Sequence, residues 1–396
     1  MVDRFSGKKI MIWGYGREGK STESFLKEYC QPQEVVIFEG KPEELEEEGF
    51  DYIFKSPGII YPQENEKIIA QTDVFLESYR EQVIGITGTK GKSTTSAMLA
   101  KVLGECSGKR SILLGNIGLP CLDYFGEMDE DTLVVFEMSC HQLAHAKISP
   151  HVAVFLNLYE EHLDYYKTME AYFTAKSHVI SYQEEGDVCY VGENVPEIAT
   201  KAKRRLVQTA IPGDLPMSIY GDHNRLNAAF VKAIATECFG CKEDEVLESI
   251  SSFSGLPHRL QRVGENHGIT WYDDSISTIP EAAIQAVESL PEIKTILIGG
   301  MDRGIHYGIL EDFMKDRTDV SFICMYATGK RIVEEAGLTG ASHIYLVEDL
   351  AQAVAKAREI TPSGCGCVLS PAAPSYGYFR NFEERGDVFA GLVMER

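Results

Sequence analysis

Three things are scarce in this sequence: long apolar runs, positive charge, and any sign of a disulfide or zinc framework. No stretch of about 18 uninterrupted apolar residues occurs, so a membrane-spanning helix is not expected. Met1 to Lys9 lead straight into an expected strand, without the apolar region and cleavage site of a secretory leader, so a cytoplasmic location is expected. Lysines and arginines number 38 against 60 aspartates and glutamates, a formal net charge of −22. That imbalance opposes binding to nucleic acid. An anionic metabolite remains acceptable where local lysines, arginines, helix N-termini or a metal ion offset the field. The ten cysteines read as free thiols. Cys238 and Cys241 have no second pair at zinc-ribbon spacing, and Cys365 and Cys367 are too close in sequence to share a tetrahedral ion.

What is present is an α/β pattern. The chain has 396 residues, 44% of them hydrophobic, enough for two or three domains. Apolar strands at Ile10–Trp13, Val35–Phe38 and Tyr52–Phe54 suggest a small, partly parallel sheet up to about residue 80. Glu43 to Glu48 reads as a solvated helix face without function. New strands follow at Val83–Thr87, Leu133–Phe136 and Val152–Leu156, then helices from about Asn224 to Cys238 and Glu243 to Phe253. Gly255-Leu256-Pro257-His258 reads as a linker. Ile296–Ile298 and Cys367–Ser370 are strands of a last domain. The expected division is 1–81, 82–254 and 255–396.

The sharpest local signal is Thr87-Gly88-Thr89-Lys90-Gly91-Lys92-Ser93-Thr94 between a strand and a helix. Glycines let the backbone curl so that its N–H groups and the helix N-terminus cradle phosphate oxygens. Lys92 would neutralise the β and γ phosphates, and the Ser93 hydroxyl is placed to bind Mg²⁺. The usual first glycine of such a loop is replaced by Ile86, which makes this a variant. A weaker loop, Gly14-Tyr15-Gly16-Arg17-Glu18-Gly19, has an acid, Glu39, 25 residues after Gly14. It suits NAD, another diphosphate, or neither. Glu137 to Gln142 and Asn157 to Asp164 gather acids, histidines and amides at strand ends, where open α/β sheets place ligands. Hard oxygens such as those of Glu137 suit Mg²⁺, and beside a phosphate loop these groups favour metal-assisted phosphoryl transfer.

Taken together, these motifs resemble the Mur ligases. The resemblance spans nearly the whole chain: Gly88 to Thr94, Gly115-Asn116-Ile117-Gly118, Glu137 to Gln142, Asn157 to Asp164, Asp222-His223-Asn224 with Asn227, Leu256 to Arg259, Ile298 to Gly304, Leu369 to Ala372 and Asn381 to Gly386. It implies three α/β domains: a Rossmann-like, UDP-binding N-terminal domain, a central P-loop ATPase domain, and a Rossmann-like C-terminal domain that supplies the amino-acid site. The implied reaction is the ATP-dependent addition of glutamate to a UDP-linked muramoyl-alanine in cell-wall precursor synthesis. An acyl phosphate forms first, and the glutamate amine then attacks it.

By resemblance, Gly14, Gly16, Arg17, Glu18, Glu39 and Ser56 face the uridine diphosphate, while Asn116, Ser139, Gln142 and His162 contact the muramoyl–alanyl part or the reacting carboxylate. Gly88 to Thr94, Asn224, Asn227, Arg259 and Asp274 serve ATP. Ser93, Glu137, His162 and Lys176 serve Mg²⁺, with Lys92, His162 and Lys176 catalytic. Thr278, Arg303, Ser375, Tyr376 and Phe382 take the glutamate; Arg303 suits an acidic amino acid because its fork pairs carboxylates. Lys176 matches a lysine that the family carbamylates with CO2, although its own sequence context reads as a surface helix lysine. The expected partners are small-molecule substrates only, and the chain is expected to act as a monomer.

The sequence departs from that pattern around the acceptor site. D-glutamate ligases read Asp-Ser-Lys-Ala-Thr-Asn where this chain has Asp274-Ser275-Ile276-Ser277-Thr278-Ile279, and a family leucine is Tyr376. D-glutamate is the default expectation and an L-glutamate-adding variant the alternative. A folylpolyglutamate synthase fits the N-terminal domain and Asn381 to Gly386 poorly, and a dehydrogenase leaves the second phosphate loop unexplained. A non-catalytic nucleotide-binding protein is disfavoured by Lys92, Ser93, Glu137, His162 and Lys176 occurring together.

Overall fold

A computed structural model describes all residues except Met1, Pro62, Glu64, Gly118, Tyr220 and Arg396, together with the Asp164 side chain. Gly118 and the Asp164 side chain, both within motifs of the resemblance, thus lie outside the described part. The chain divides into two compact units, Met1–Ser218 with Asp222–Phe253 and Ile219–Gly221 with Ser254–Arg396.

The first unit holds two parallel sheets. Strands β1 (Lys9–Trp13), β2 (Glu34–Phe38), β3 (Tyr52–Lys55) and β4 (Ile68–Ile69) form one in the order β2-β1-β3-β4. Strands β5 (Val83–Thr87), β6 (Arg110–Gly115), β7 (Thr132–Glu137), β8 (Val152–Phe155), β9 (Val188–Gly192) and β10 (Lys203–Val207) form the other in the order β10-β9-β8-β5-β7-β6. The central strands β5, β7 and β8 are buried along their whole length, which is why they read as unbroken apolar runs. One hydrophobic core takes in Ile10, Ile12, Phe25 and Phe75 from the first sheet's side and Val134, Phe136 and Phe155 from the second. The expected boundary between residues 81 and 82 therefore falls inside one compact unit.

The acidic run is not the expected helix. Only a 3-10 turn, Pro42–Glu44, forms there. Tyr61 donates its hydroxyl proton to Glu47 Oε1, and Lys67 Nζ bonds Glu47 O. These longer-range bonds hold the segment outside a helical path.

The second unit has one sheet of β11 (Gln261–Asn266), β12 (Ile269–Asp273), β13 (Ile293–Ile298), β14 (Ser321–Cys324), β15 (Ile344–Leu346) and β16 (Gly366–Leu369). Its order is β11-β12-β16-β13-β14-β15, parallel apart from the β11–β12 hairpin. All three sheets thus present strand ends of the kind where α/β folds bind ligands.

Candidate active site

The phosphate loop leaves β5 and enters the helix Lys92–Cys106 through Gly91, whose φ is +84°. A side chain at Gly91 would also bring a Cβ to 2.6 Å from Asn227 Oδ1, so glycine is required twice over. Asn227 Nδ2 in turn donates to Asn224 Oδ1 at 3.1 Å, which places both asparagines of the helix Asp222–Phe239 beside the loop. The opposite wall is Asn157, whose Oδ1 accepts from Lys90 N at 2.9 Å and whose Nδ2 donates to Lys90 O at 3.0 Å. Thr89 Oγ1 accepts from Tyr159 N and lies 3.3 Å from the Tyr172 hydroxyl. Ser93 and Thr94 form the helix's half-buried first turn.

Two lysines converge on this loop. Lys92 Nζ donates to Gly88 O and Thr89 O, both at 2.9 Å, and Lys176 Nζ donates to Gly88 O at 2.7 Å. The structure corrects the reading of Lys176 as a surface residue: it is 1% exposed. The helix Met169–Ser181 buries Tyr172, Ala175, Val179 and Ile180 on the same face. Burial, followed by the Lys92 charge, pushes the Lys176 ammonium down to about 7. Burial also lowers Lys92, while the Glu137 carboxylate pulls the other way.

Glu137 ends β7 fully buried. Asn116 Nδ2 donates to its Oε1 at 2.7 Å, whereas its Oε2 has no hydrogen-bond partner. An unpaired buried carboxylate oxygen is costly unless a cation meets it. A hard oxygen on a carboxylate close enough for its charge to act on both Lys92 and Lys176 fits Mg²⁺.

Ser139 caps the short helix Cys140–Leu143: its Oγ accepts from Gln142 N, and Gln142 Oε1 accepts from Ser139 N at 2.9 Å. The Gln142 amide also donates to Glu18 Oε1 at 2.9 Å, tying the first glycine loop to this helix. Burial raises the Glu18 carboxyl, and the Gln142 bond opposes the shift. Ser56 Oγ donates to Gly14 O at 2.9 Å. Gly16 caps the helix Arg17–Tyr29, with Arg17 exposed at its start and Glu39 exposed after β2. A depression here is lined by Glu18, Lys55, Gln71, His141, Gln142 and His145. Sequence reasoning missed Lys55. It is 8% exposed, its Nζ donates to Ser56 O and Ile59 O, and burial pushes it down to about 8. Its place at the end of β3 is the signal that could have found it.

His162 has a φ of +57° and starts the helix Leu163–Tyr166. Its ring lies 5.2 Å from that of His141 and 5.9 Å from that of Tyr172, and its Nε2 lies 4.0 Å from Glu161 Oε2. Loop, lysines, Glu137 and His162 all belong to one end of the second sheet.

The second unit gathers the remaining candidates by itself. Asp274 is buried, accepts from Leu260 N and from Ser370 Oγ, and is pushed up to about 6 by burial. Arg259 is exposed. Arg303 donates to Thr278 O at 3.1 Å, Ser375 is buried, and Tyr376 is 59% exposed. Phe382 packs edge-on against His258, and its carbonyl accepts from Ser275 Oγ. Arg385 lies within the Asn381–Gly386 motif without an assigned role, yet its guanidinium is wholly buried. It donates to Ser275 Oγ at 2.9 Å, Ser275 O at 2.7 Å and Ala373 O at 3.0 Å, pinning the loop that carries Asp274 and Thr278. The next residue, Gly386, admits no side chain: a Cβ would lie 2.0 Å from His258 Nδ1.

The Mur ligase middle domain matches residues 86–213. A UDP-N-acetylmuramoylalanine–D-glutamate ligase from Streptococcus agalactiae is 31% identical, with 98% of this chain and 97% of that protein covered. A UDP-N-acetylmuramoyl-L-alanine–L-glutamate ligase from a Micromonospora species is 30% identical over the same shares. Among solved structures, a MurF ligase from Thermotoga maritima in complex with ADP shares the fold at a TM-score of 0.61 and 17% identity, covering 99% of this chain and 97% of that one. With this identity sustained along nearly the whole of both chains, the protein belongs to the Mur ligase family.

Proposed function

We propose that the protein is an ATP-dependent ligase that joins glutamate to UDP-N-acetylmuramoyl-L-alanine through an acyl phosphate, in peptidoglycan precursor synthesis. The observation that carries this reading is the meeting of Lys92 and Lys176 on the Gly88 carbonyl, at the same sheet end as the unpaired Glu137 Oε2. The relatives that match along their full length are named as ligases adding glutamate to this class of substrate.

Phosphoryl transfer from ATP to a carboxylate accumulates charge on the phosphoryl oxygens, so positioned cations supply most of the catalysis. Lys92 would exchange its two backbone carbonyls for phosphate oxygens. Ser93, Glu137, His162 and a carbamylated Lys176 would hold Mg²⁺, which when bound neutralises the phosphates and polarises the transferred group. A buried lysine near neutrality is suited to carbamylation because only the uncharged amine attacks CO2. The Nζ–C bond forms and a proton leaves. The product carries a negative charge, which removes the repulsion between Lys176 and Lys92.

Glu18, Lys55, Ser56, Asn116 and Gln142 would meet the UDP-muramoyl part, with the Lys55 ammonium offsetting the diphosphate. Asn224 and Asn227 would border the nucleotide. Arg259 and Asp274 of the second unit would also serve ATP, and Thr278, Arg303, Ser375, Tyr376 and Phe382 of that unit would take glutamate. We further propose functional divisions at 1–81, 82–254 and 255–396, a cytoplasmic location and a monomeric state.

D-glutamate is the default acceptor. L-glutamate is the second reading, favoured by Ile276 and Ile279 in the loop pinned by Arg385. The test is phosphate release with ATP, Mg²⁺ and UDP-N-acetylmuramoyl-L-alanine, with each glutamate isomer in turn. Release with one isomer supports the ligase and assigns the configuration. Folded protein that is silent with both refutes the proposal.

A further inference from the structure

Beside the groups proposed for phosphate and Mg²⁺, and sharing His162 with them, the helix start at Cys140 brings a second donor set together. One ligand atom each from Cys140, His141 and His162 lies within 4.8 Å of the other two. Cys140 is buried, His141 half-buried and His162 exposed. Ligand bonds of about 2.0–2.3 Å at tetrahedral angles put donors about 3.5 Å apart, so modest side-chain rotations would close the set around one ion. The surroundings suit a metal centre. Tyr166 hydrogen-bonds Cys140, and its hydroxyl lies 3.5 Å from His141 Nδ1. Tyr165 and Tyr166 stand 4.4 Å and 5.7 Å from the His141 ring. Glu161 Oε2 lies 4.0 Å from His162 Nε2, beyond hydrogen-bond reach, and its Oε1 accepts from Lys90 Nζ at 2.7 Å.

One sulfur and two imidazole nitrogens are a soft donor set that selects against Mg²⁺ and for ions of the zinc class. From this geometry we infer that Cys140, His141 and His162 form a binding site for a soft divalent cation of the zinc type, with its fourth position open. Occupancy would engage His162, which the proposed reaction also uses, so a soft metal and the Mg²⁺-dependent chemistry would compete for one side chain. Binding itself does not depend on the ligase reading.

The other grouping of this kind among the described residues, Glu81, His151 and Asp187, contains no sulfur, and its Asp187 already pairs with Arg80. This makes the two sites distinguishable by spectroscopy. Metal-free full-length protein is titrated with Co²⁺ alone, without nucleotide, and followed by absorption. One equivalent should bind with a thiolate-to-cobalt charge-transfer band and the intense visible bands of tetrahedral Co²⁺. Cys140→Ser should abolish the charge-transfer band, and His141→Ala, on a half-buried side chain, should weaken binding at least ~10-fold. Circular dichroism verifies that each variant is folded, and His141→Ala alone decides should Cys140→Ser fail to fold. Binding without a thiolate band, a band that survives Cys140→Ser, or undiminished affinity in His141→Ala overturns the inference.

Discussion

Carbamylation of Lys176 predicts a pH profile whose shape depends on the burial of that side chain. Only the neutral amine captures CO2, so the rate follows the neutral fraction. A lysine at the ordinary value of 10.5 stays almost wholly protonated between pH 6 and pH 8, so its capture rate would climb about 100-fold across that interval. With the value pushed down to about 7, the neutral fraction rises from about one tenth to about nine tenths, a ~10-fold gain that then levels off. At pH 6 the buried lysine would hold roughly three thousand times more neutral amine than an ordinary one. The assay mixes degassed protein with carbon-13-labelled CO2 at fixed dissolved concentration and follows the carbamate resonance by NMR. Beside the α-amino carbamate that both proteins share, one resonance should appear in wild type, rising about tenfold in rate between pH 6 and pH 8, flat above, and absent in Lys176→Met. A rate for that resonance still climbing log-linearly through pH 9, or its survival in Lys176→Met, refutes the reasoning.

The same burial has a stability consequence. Because the folded value lies below the unfolded one, the unfolded chain binds more protons between about pH 7 and pH 10, so wild-type stability should rise with pH across that window. Lys176→Met should flatten this dependence and be no less stable than wild type at pH 6 in urea denaturation. Lys92→Ala should lower kcat/KM by about 10²–10³-fold while calorimetry still detects ATP binding. Glu137→Gln should raise the Mg²⁺ concentration for half-maximal activity by ~10-fold or more, without loss of thermal stability, since it replaces an oxygen that has no protein partner. Gly386→Ala should cost about 1–3 kcal/mol by overpacking against His258. In a double-mutant cycle read by urea midpoints, His258→Ala should recover part of that loss.

The strands were legible because parallel sheets covered on both faces demand unbroken apolar runs, and β5, β7 and β8 provide them. The phosphate loop was legible because its chemistry is local: glycines, a lysine and a hydroxyl within one turn. The acidic run from Glu43 was misread because charge pattern alone cannot register a tyrosine hydroxyl reaching Glu47 or a lysine reaching its carbonyl. Lys55 and Arg385 lacked local signals of comparable strength. Each matters because several backbone carbonyls converge on it, and that convergence exists only after folding.

Lys176 shows where the sequence carried more than was read from it. Position 176 lies four residues from Tyr172 and four from Ile180, on the stripe that Ala175 and Val179 complete. A lysine on such a stripe must either snorkel to water or be buried with a partner. Here the partner is the Gly88 carbonyl, which already accepts from Lys92. Two ammonium groups on one carbonyl are a poor arrangement for stability alone, because the repulsion between them acts in a buried setting. The arrangement becomes favourable once anionic oxygens enter the loop, or once one of the lysines becomes an anion. The proposed chemistry supplies both changes. It therefore gives a physical reason for retaining a charge that a hydrophobic side chain at 176 would dispense with.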